Sequence, residues 1–406
     1  MNRSRNLALA AVLIAGLPLS AQSVKVSGLM QVWYTQMLDT NLRLNAAAPG
    51  GYYNLRSEFR ENTFSIRRTE IKFSGNLVPG VDFEAMMDSS ISTSAGNPTI
   101  LQDAAIILKP VEGLELKAGQ FKNLQTYEGV KSSSELIFAE RSQLGRTFGD
   151  KRDRGAALSL AFGDPKGFAG KATVAVFNGM NDAASGKAND ANAAKDFVGR
   201  LEFSLGKTHA FGVYTLQGST DVTDKSSAAI AANPGGAWPS QAAIYDNKDR
   251  TTNLGAFYVF ETGSWHVSAE VMTGLLGRRY ATLAAAAPTA KREHLDQKFL
   301  GYYLTGAYTT GRHTVAVRYD SLNLNQGDDW YPAANPYANA AAGTDYAPEY
   351  TEITAGYTYA WIPGKVKAAN LKVNYIARSK NFLRPLGTQT GEQGGNSLVA
   401  ALQVAF

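Results

Sequence analysis

The feature that most constrains this chain is a period of two in its apolar residues, maintained from residue 24 to the last residue. Successive side chains of a strand point to opposite faces, so such a period describes a sheet with one apolar face. In the last segment Leu398, Ala400, Leu402, Val404 and Phe406 share one face, while Val399, Ala401, Gln403 and Ala405 share the other. In DFVGRLEFSL, Phe197, Gly199, Leu201, Phe203 and Leu205 oppose Val198, Arg200, Glu202 and Ser204. Sixteen segments read this way, over roughly 24–37, 62–75, 81–91, 99–109, 113–122, 152–163, 168–178, 196–206, 208–219, 250–261, 264–277, 296–309, 312–324, 347–361, 369–379 and 396–406. Most have the roughly 9–11 residues with which a tilted strand crosses a bilayer.

The connections alternate in length. Short ones fall at Asn76–Gly80, Pro110–Glu112, Asp164–Gly167, Lys207, Thr262–Gly263, Thr310–Gly311 and Ile362–Ala368. Long ones run over about 38–61, 92–98, 123–151, 179–195, 220–249, 278–295, 325–346 and 380–395. A soluble sandwich has no reason to sort its loops by side, whereas a transmembrane barrel does. In lipid only helices and closed barrels satisfy every backbone amide. No segment after the first residues reaches the roughly 18 apolar residues of a spanning helix. The expected fold is therefore all-β, a transmembrane antiparallel β-barrel of about 16 strands. Trp33, Tyr34, Tyr302, Tyr303, Tyr357, Tyr359 and Trp361, near strand ends, are expected to form its interfacial aromatic girdles.

The chain opens with Arg3 and Arg5, an apolar stretch from Leu7 to Leu17 and small residues near Ala21, which is the form of a secretory signal peptide. Residues 1–21 are expected to be that signal, with cleavage after Ala21 or Ser23, and 22–406 a single barrel domain of the outer membrane of a Gram-negative type of cell. Without Arg3 and Arg5 the 40 Lys and Arg exceed the 35 Asp and Glu by only three. That charge, with export, gives no footprint for nucleic acid. Cysteine is absent, which removes thiolate metal sites, cysteine nucleophiles and a lipoprotein anchor. The four histidines, His209, His266, His294 and His313, have no metal-ligand spacing, and GDPKGFAGKAT fails the P-loop pattern. No GxSxG elbow is present. No cofactor and no metal are expected. The basic runs KGFAGK and PGKVKAA read as solvated turns.

Cations on the inner parity stand above this background. In FSIRRTEIKFSG, Thr69, Ile71, Phe73 and Gly75 take the lipid parity, which leaves Arg68, Glu70 and Lys72 inside; Arg67 has the wrong parity and requires a local irregularity or a place near the rim. Lys117, Arg154, Arg200, Arg318, Lys372 and Arg378 also fall inside. On the lipid face each would cost about 2–4 kcal/mol at the midplane. Rings of Arg and Lys favour anions, although Asp82, Glu84, Asp88, Glu115 and Glu202 make this lumen mixed. The long connection 123–151 carries Lys131, Arg141, Arg146 and Lys151 and, in its middle, Leu136, Ile137 and Phe138. A freely solvated loop has no use for that apolar run, so the loop is expected to pack on the inner wall.

FSIRRTEIKFSGNLVPGVDFEAMMD (64–88) and LKAGQFKNLQTYEGVKSSSELIFAERS (116–142), with a weaker third block at 353–375, resemble the phosphate-selective porin O and P family of outer-membrane proteins. The resemblance implies a sixteen-stranded trimeric barrel whose third long loop folds into the lumen, and passive diffusion of anions such as phosphate. It further implies an anion-binding constriction of Arg67 and Arg68 with two of Ser132, Ser133 and Ser134, and with Lys122 or Lys131 as the loop's lysine. Arg141 is placed with that constriction, and Lys72, Lys117, Arg154, Arg318 and Arg378 with the pore lining. Phe406, last on the lipid parity, is the expected recognition signal for the barrel-assembly machinery. The expected partners are small anionic solutes, outer-membrane lipids and two further copies of the chain. A general, non-selective porin is the alternative; a barrel enzyme or an adhesin is a more distant one.

Overall fold

In the computed structural model the residues described are 23–38, 62–90, 100–179, 194–220, 249–276, 297–323, 326, 349–378 and 396–406. The expected signal segment lies outside them, as do most of the long connections; 123–151 is described in full. Sixteen strands follow one another: β1 (Ser23–Met37), β2 (Thr63–Val78), β3 (Val81–Asp88), β4 (Leu101–Val111), β5 (Leu114–Lys122), β6 (Arg152–Gly163), β7 (Phe168–Phe177), β8 (Asp196–Leu205), β9 (His209–Thr220), β10 (Asp249–Glu261), β11 (Trp265–Leu276), β12 (Gln297–Thr310), β13 (His313–Asn323), β14 (Glu349–Ala360), β15 (Ala369–Arg378) and β16 (Ser397–Ala405). Each pairs antiparallel with the next, and β1 pairs with β16 from Leu29↔Ala405 to Met37↔Ser397, which closes the ring. No strand edge is left without a partner, the condition for placing a sheet in hydrocarbon.

The register separates the two faces. Along β13, Val315, Val317 and Tyr319 are exposed while Thr314, Arg318 and Asp320 are buried. Along β16, Leu398, Leu402 and Val404 face out, and Val399, Ala401 and Gln403 face in. An outer surface of exposed Leu, Val and Ile over a polar interior is the inverse of a soluble fold and suits a lipid solvent. The strands differ from the sequence reading only at their ends. β3 stops at Asp88, for example, because Oδ1 of that residue accepts the amides of Thr69 (2.9 Å) and Ser90 (3.0 Å) and closes a turn there.

Two expectations about individual residues change. Trp33 and Tyr303 are buried on the inner face, whereas Tyr302, Tyr357 and Trp361 are exposed outside. Adjacent residues of a strand cannot share a face, so of 33/34 and 302/303 only one member each can belong to a girdle. Arg67 has its irregularity. Gln31 pairs with Arg68 and Val32 with Ile66, so Arg67 is the extra residue of a β-bulge in β2. The bulge lets Ile66 remain outside while Arg68 faces in and Arg67 reaches inward as well.

The wall is tight where β4 meets β5. Gly119 adopts φ 136°, and a Cβ there would lie 2.1 Å from the carbonyl oxygen of Ala104. Gly119→Ala should cost about 1–3 kcal/mol and lower the temperature at which the barrel loses its compact electrophoretic mobility. Gly263→Ala, with open space around it, should leave that temperature unchanged.

Candidate functional site

Between β5 and β6 the chain runs for 29 residues, Asn123–Lys151, with little regular structure. Thr126 caps α1 (Tyr127–Val130) through Gly129 N–H, Ser132 caps a 3-10 turn (Ser133–Glu135), and Ser142 caps α2 (Gln143–Thr147) through Gly145 N–H. These turns satisfy few of the segment's amides, and buried backbone groups require partners. The wall provides them. Arg318 donates to the carbonyls of Glu140 (3.1 Å) and Arg141 (3.2 Å), Lys372 to Leu136 (2.5 Å), and Arg200 to Leu124 (3.2 Å) and Thr126 (3.3 Å). In the other sense, Glu270 accepts from Tyr127 N–H (2.6 Å), Asp320 from Gln143 N–H (2.6 Å) and Asn374 from Ala139 N–H (2.7 Å).

Apolar side chains complete the attachment. Leu136, Phe138 and Leu144 are buried, with the Arg318 guanidinium 4.8 Å from the Phe138 ring centroid. Leu144 and Phe138 seat over wall glycines: a Cβ on Gly301 would come within 2.4 Å of Leu144, and one on Gly356 within 2.9 Å of Phe138. Leu144 packs in a cluster with Tyr214, Phe257, Met272, Phe299 and Leu322, on which Tyr127 and Phe148 stack through Phe257 and Phe299. These contacts concentrate on β9–β16. The space beside the segment, about 380 Å³, is bounded by inner-face residues of β2–β8 and by Val130, Ser132 and Ser133.

The residues expected at the constriction divide into two groups. Arg67 pairs with Glu140 at 2.6 Å and lies over the Trp33 ring. Arg68 is buried between Gln31 (2.8 Å), Glu70 (3.8 Å) and Asp150 (3.9 Å). Arg141 is buried against Asp150 (2.6 Å), the carbonyls of Glu128 and Lys131, and Ser133 Oγ. Burial alone would push the Asp150 carboxyl up; Arg141, Lys122, Arg152 and Arg68 outweigh it and hold that carboxyl far below its ordinary range. Burial is likewise overridden at Glu140, where Arg67, Arg68 and Arg146 bring the carboxyl to about 2. Both acids thus remain charged and keep the segment clamped. Arg318 and Arg378 converge on Glu352 (3.6 and 3.2 Å), buried with it. Of the cations expected to meet solute, Arg68, Arg141, Arg318 and Arg378 are instead buried supports of the segment, because its carbonyls and carboxylates require them. Lys131 lies 4.1 Å from the Tyr127 ring centroid, and Ser134 offers its carbonyl to Gln403 (3.2 Å). Arg154, expected in the pore lining, instead shares the parity of the exposed Leu158 and Leu160 on β6, because Asp153, Ala157 and Ser159 take the inner face.

The second group faces the space. Lys72 and Lys117 both bind the single carboxylate of Glu84, Lys72 at 2.7 Å. Lys122 lines the same space while donating to the carbonyls of Gly129 (2.8 Å) and Lys131 (2.5 Å). Ser132 and Ser133 border it from the segment. KGFAGK is not wholly a solvated turn: its Lys171 lies on β7 and borders the space, as does Arg152 of β6. The signal available for Lys171 was inner parity, the same that marked Lys117. Among the described residues no group of metal-ligating side chains is assembled, and His294 lies outside them.

The phosphate-selective porin O and P family matches residues 41–406. Two solved structures share the fold. The outer membrane channel DcaP of Acinetobacter baumannii superposes with a TM-score of 0.58 at 11% identity, covering 95% of this chain and 98% of its own. OmpT, an outer membrane protein of Vibrio cholerae in a trimer form, gives 0.54 at 10% identity, covering 95% and 100%. No curated protein sequence matches the chain.

Phe138→Ala should remove the buried ring between Arg318 and Gly356 and cost the attachment of the segment about 3–5 kcal/mol. The expected result is a larger and noisier single-channel current in a planar bilayer. Native current from a folded Phe138→Ala barrel would show that the ring does not hold the segment.

Proposed function

We infer the function from the premise that the chain belongs to the phosphate-selective porin O and P family: it is an outer-membrane channel for small solutes, and we propose that it prefers anions. The segment 123–151 narrows the lumen in this reading, and solute passes through the space beside it. The observation that carries the preference is the pair Lys72 and Lys117, which share one carboxylate, Glu84, and so leave a net positive charge beside the hydroxyls of Ser132 and Ser133. An anion losing water there gains charge-assisted hydrogen bonds. The preference is weak, since six cationic side chains of the lining face five carboxylates. Several moderate sites of this kind admit an ion without trapping it. Ammonium groups serve chloride, carboxylate and phosphate alike, whereas the guanidiniums suited to bidentate phosphate binding are engaged by the segment. A general porin is therefore the second reading. A trimer is proposed from the family and from the trimeric form of the similar barrel.

The zero-current potential across a salt gradient tests the anion reading. The native pore should favour chloride over potassium modestly, and Lys72→Glu with Lys117→Glu should move the preference to cations. A native pore that favours potassium leaves the general porin.

Phe406 closes the ring, exchanging backbone hydrogen bonds with Gly28 (2.9 and 3.1 Å), and its ring is exposed on the outer face. We propose it also as the signal read by the assembly machinery. Deleting it should reduce folded barrel in the outer membrane far more than it reduces refolding in detergent; equal losses in both would leave closure as its whole role.

A further inference from the structure

We propose that the short-turn rim carries two matching sites on its outer face, each for the negatively charged phosphodiester headgroup of a membrane phospholipid. The first is on β13 and β14. His313, the first residue of β13, pairs across the ladder with Tyr359, and its Nδ1 meets the hydroxyl of Tyr357, two residues before it on β14, at 2.7 Å. The second, on β9 and β10, repeats this. His209, the first residue of β9, pairs with Phe260, and its Nδ1 meets the hydroxyl of Tyr258, again two residues before, at 2.8 Å. The preceding turn carries an exposed basic residue at each site: Arg312 directly before His313, and Lys207 two residues before His209.

The hydrogen bond admits both ring tautomers. In the one a phosphate selects, the tyrosine hydroxyl donates to Nδ1 and the proton of the neutral ring is on Nε2; a protonated ring donates from Nε2 as well. Each site thus combines a ring N–H with a cation of the preceding turn, and the oxygens of a phosphate accept hydrogen bonds from both. Arg312 Nη1 donates to the hydroxyl of Tyr359 at 3.1 Å, which fixes the guanidinium over the rings and leaves its remaining N–H groups to a headgroup. Above the polar groups the same strands present exposed apolar residues, Val315 and Val317 at the first site and Phe211 and Val213 at the second. These give the acyl chains a surface along the barrel wall. An aromatic girdle accounts for the tyrosines. It does not account for a histidine in the same diagonal position twice, each preceded by a cation. Short turns face the periplasm in this class of barrel, so the lipid belongs to the inner leaflet of the outer membrane.

Native mass spectrometry of the folded full-length barrel in non-ionic detergent tests the proposal, with phosphatidylglycerol titrated against phosphatidylcholine of the same acyl chains. The native barrel should retain two phosphatidylglycerol molecules per chain in preference to phosphatidylcholine. Arg312→Gln with His313→Gln, or Lys207→Gln with His209→Gln, should each remove one, with affinity falling about fivefold for each cation lost. Equal retention of the two lipids by the native barrel would overturn the proposal, as would native retention in the folded variants. Displacement of the lipid by millimolar glycerol phosphate would also overturn it, by showing a site for a free phosphate group. All four residues are on the surface; should a double variant fail to fold, His313→Gln alone reads the first site.

Discussion

Every backbone amide removed from water must find a partner, and the barrel meets that requirement in two different ways. The wall meets it by closure, since pairing β1 with β16 leaves no free edge. The segment 123–151 cannot use a ladder, because most of it is neither helix nor strand. Several of its carbonyls and amides are matched by charged and amide side chains of the inner face: Arg200, Glu270, Arg318, Asp320, Lys372 and Asn374. Irregular backbone is tolerated where side chains satisfy it, and these side chains do so for the segment. The inner wall is therefore charged for a structural reason before any solute is considered.

That requirement divides the ring. Strands β9–β16 carry the apolar cluster around Leu144 and the ion pairs centred on Glu352, and both are occupied by the segment. Strands β2–β8 keep the cations and carboxylates that border the remaining space. The β-bulge at Arg67 lies at the boundary, where it turns a residue of the wrong parity towards Glu140 and ties the far side of the segment to β2.

The strand order and the faces were legible in the sequence, because each follows from the period-two pattern, and so was the burial of Leu136 and Phe138, whereas Ile137 between them is only half-buried. Arg67 was marked as irregular by its parity alone, and Leu136 and Phe138 by apolar character inside a polar loop. The division among the cations was not legible. Arg318 and Lys117 carry the same signal, a cation on inner parity, yet one is buried against loop carbonyls and the other borders open space. Periodicity reports which face a side chain takes and carries nothing about what arrives at that face from elsewhere in the chain. Trp33 and Tyr303 show the converse limit: proximity to a strand end suggested a girdle, and the pleat sent both inward.

Holding the segment and attracting a solute thus draw on one set of side chains, and local charge balance separates the two uses. Around Glu352 three guanidiniums, of Arg146, Arg318 and Arg378, meet three carboxylates, of Glu352, Asp320 and Glu128. That group is buried and its charges face one another, so it exerts little field on the open space, while loss of any one member would leave a buried charge unmatched. At Glu84 two ammonium groups meet one carboxylate beside the open space. The excess charge there borders open space, and in the reading proposed above its field reaches the solute. A charge can set the preference of such a pore only where the structure does not already use it, and the proposed anion preference rests on such a charge between β2 and β5.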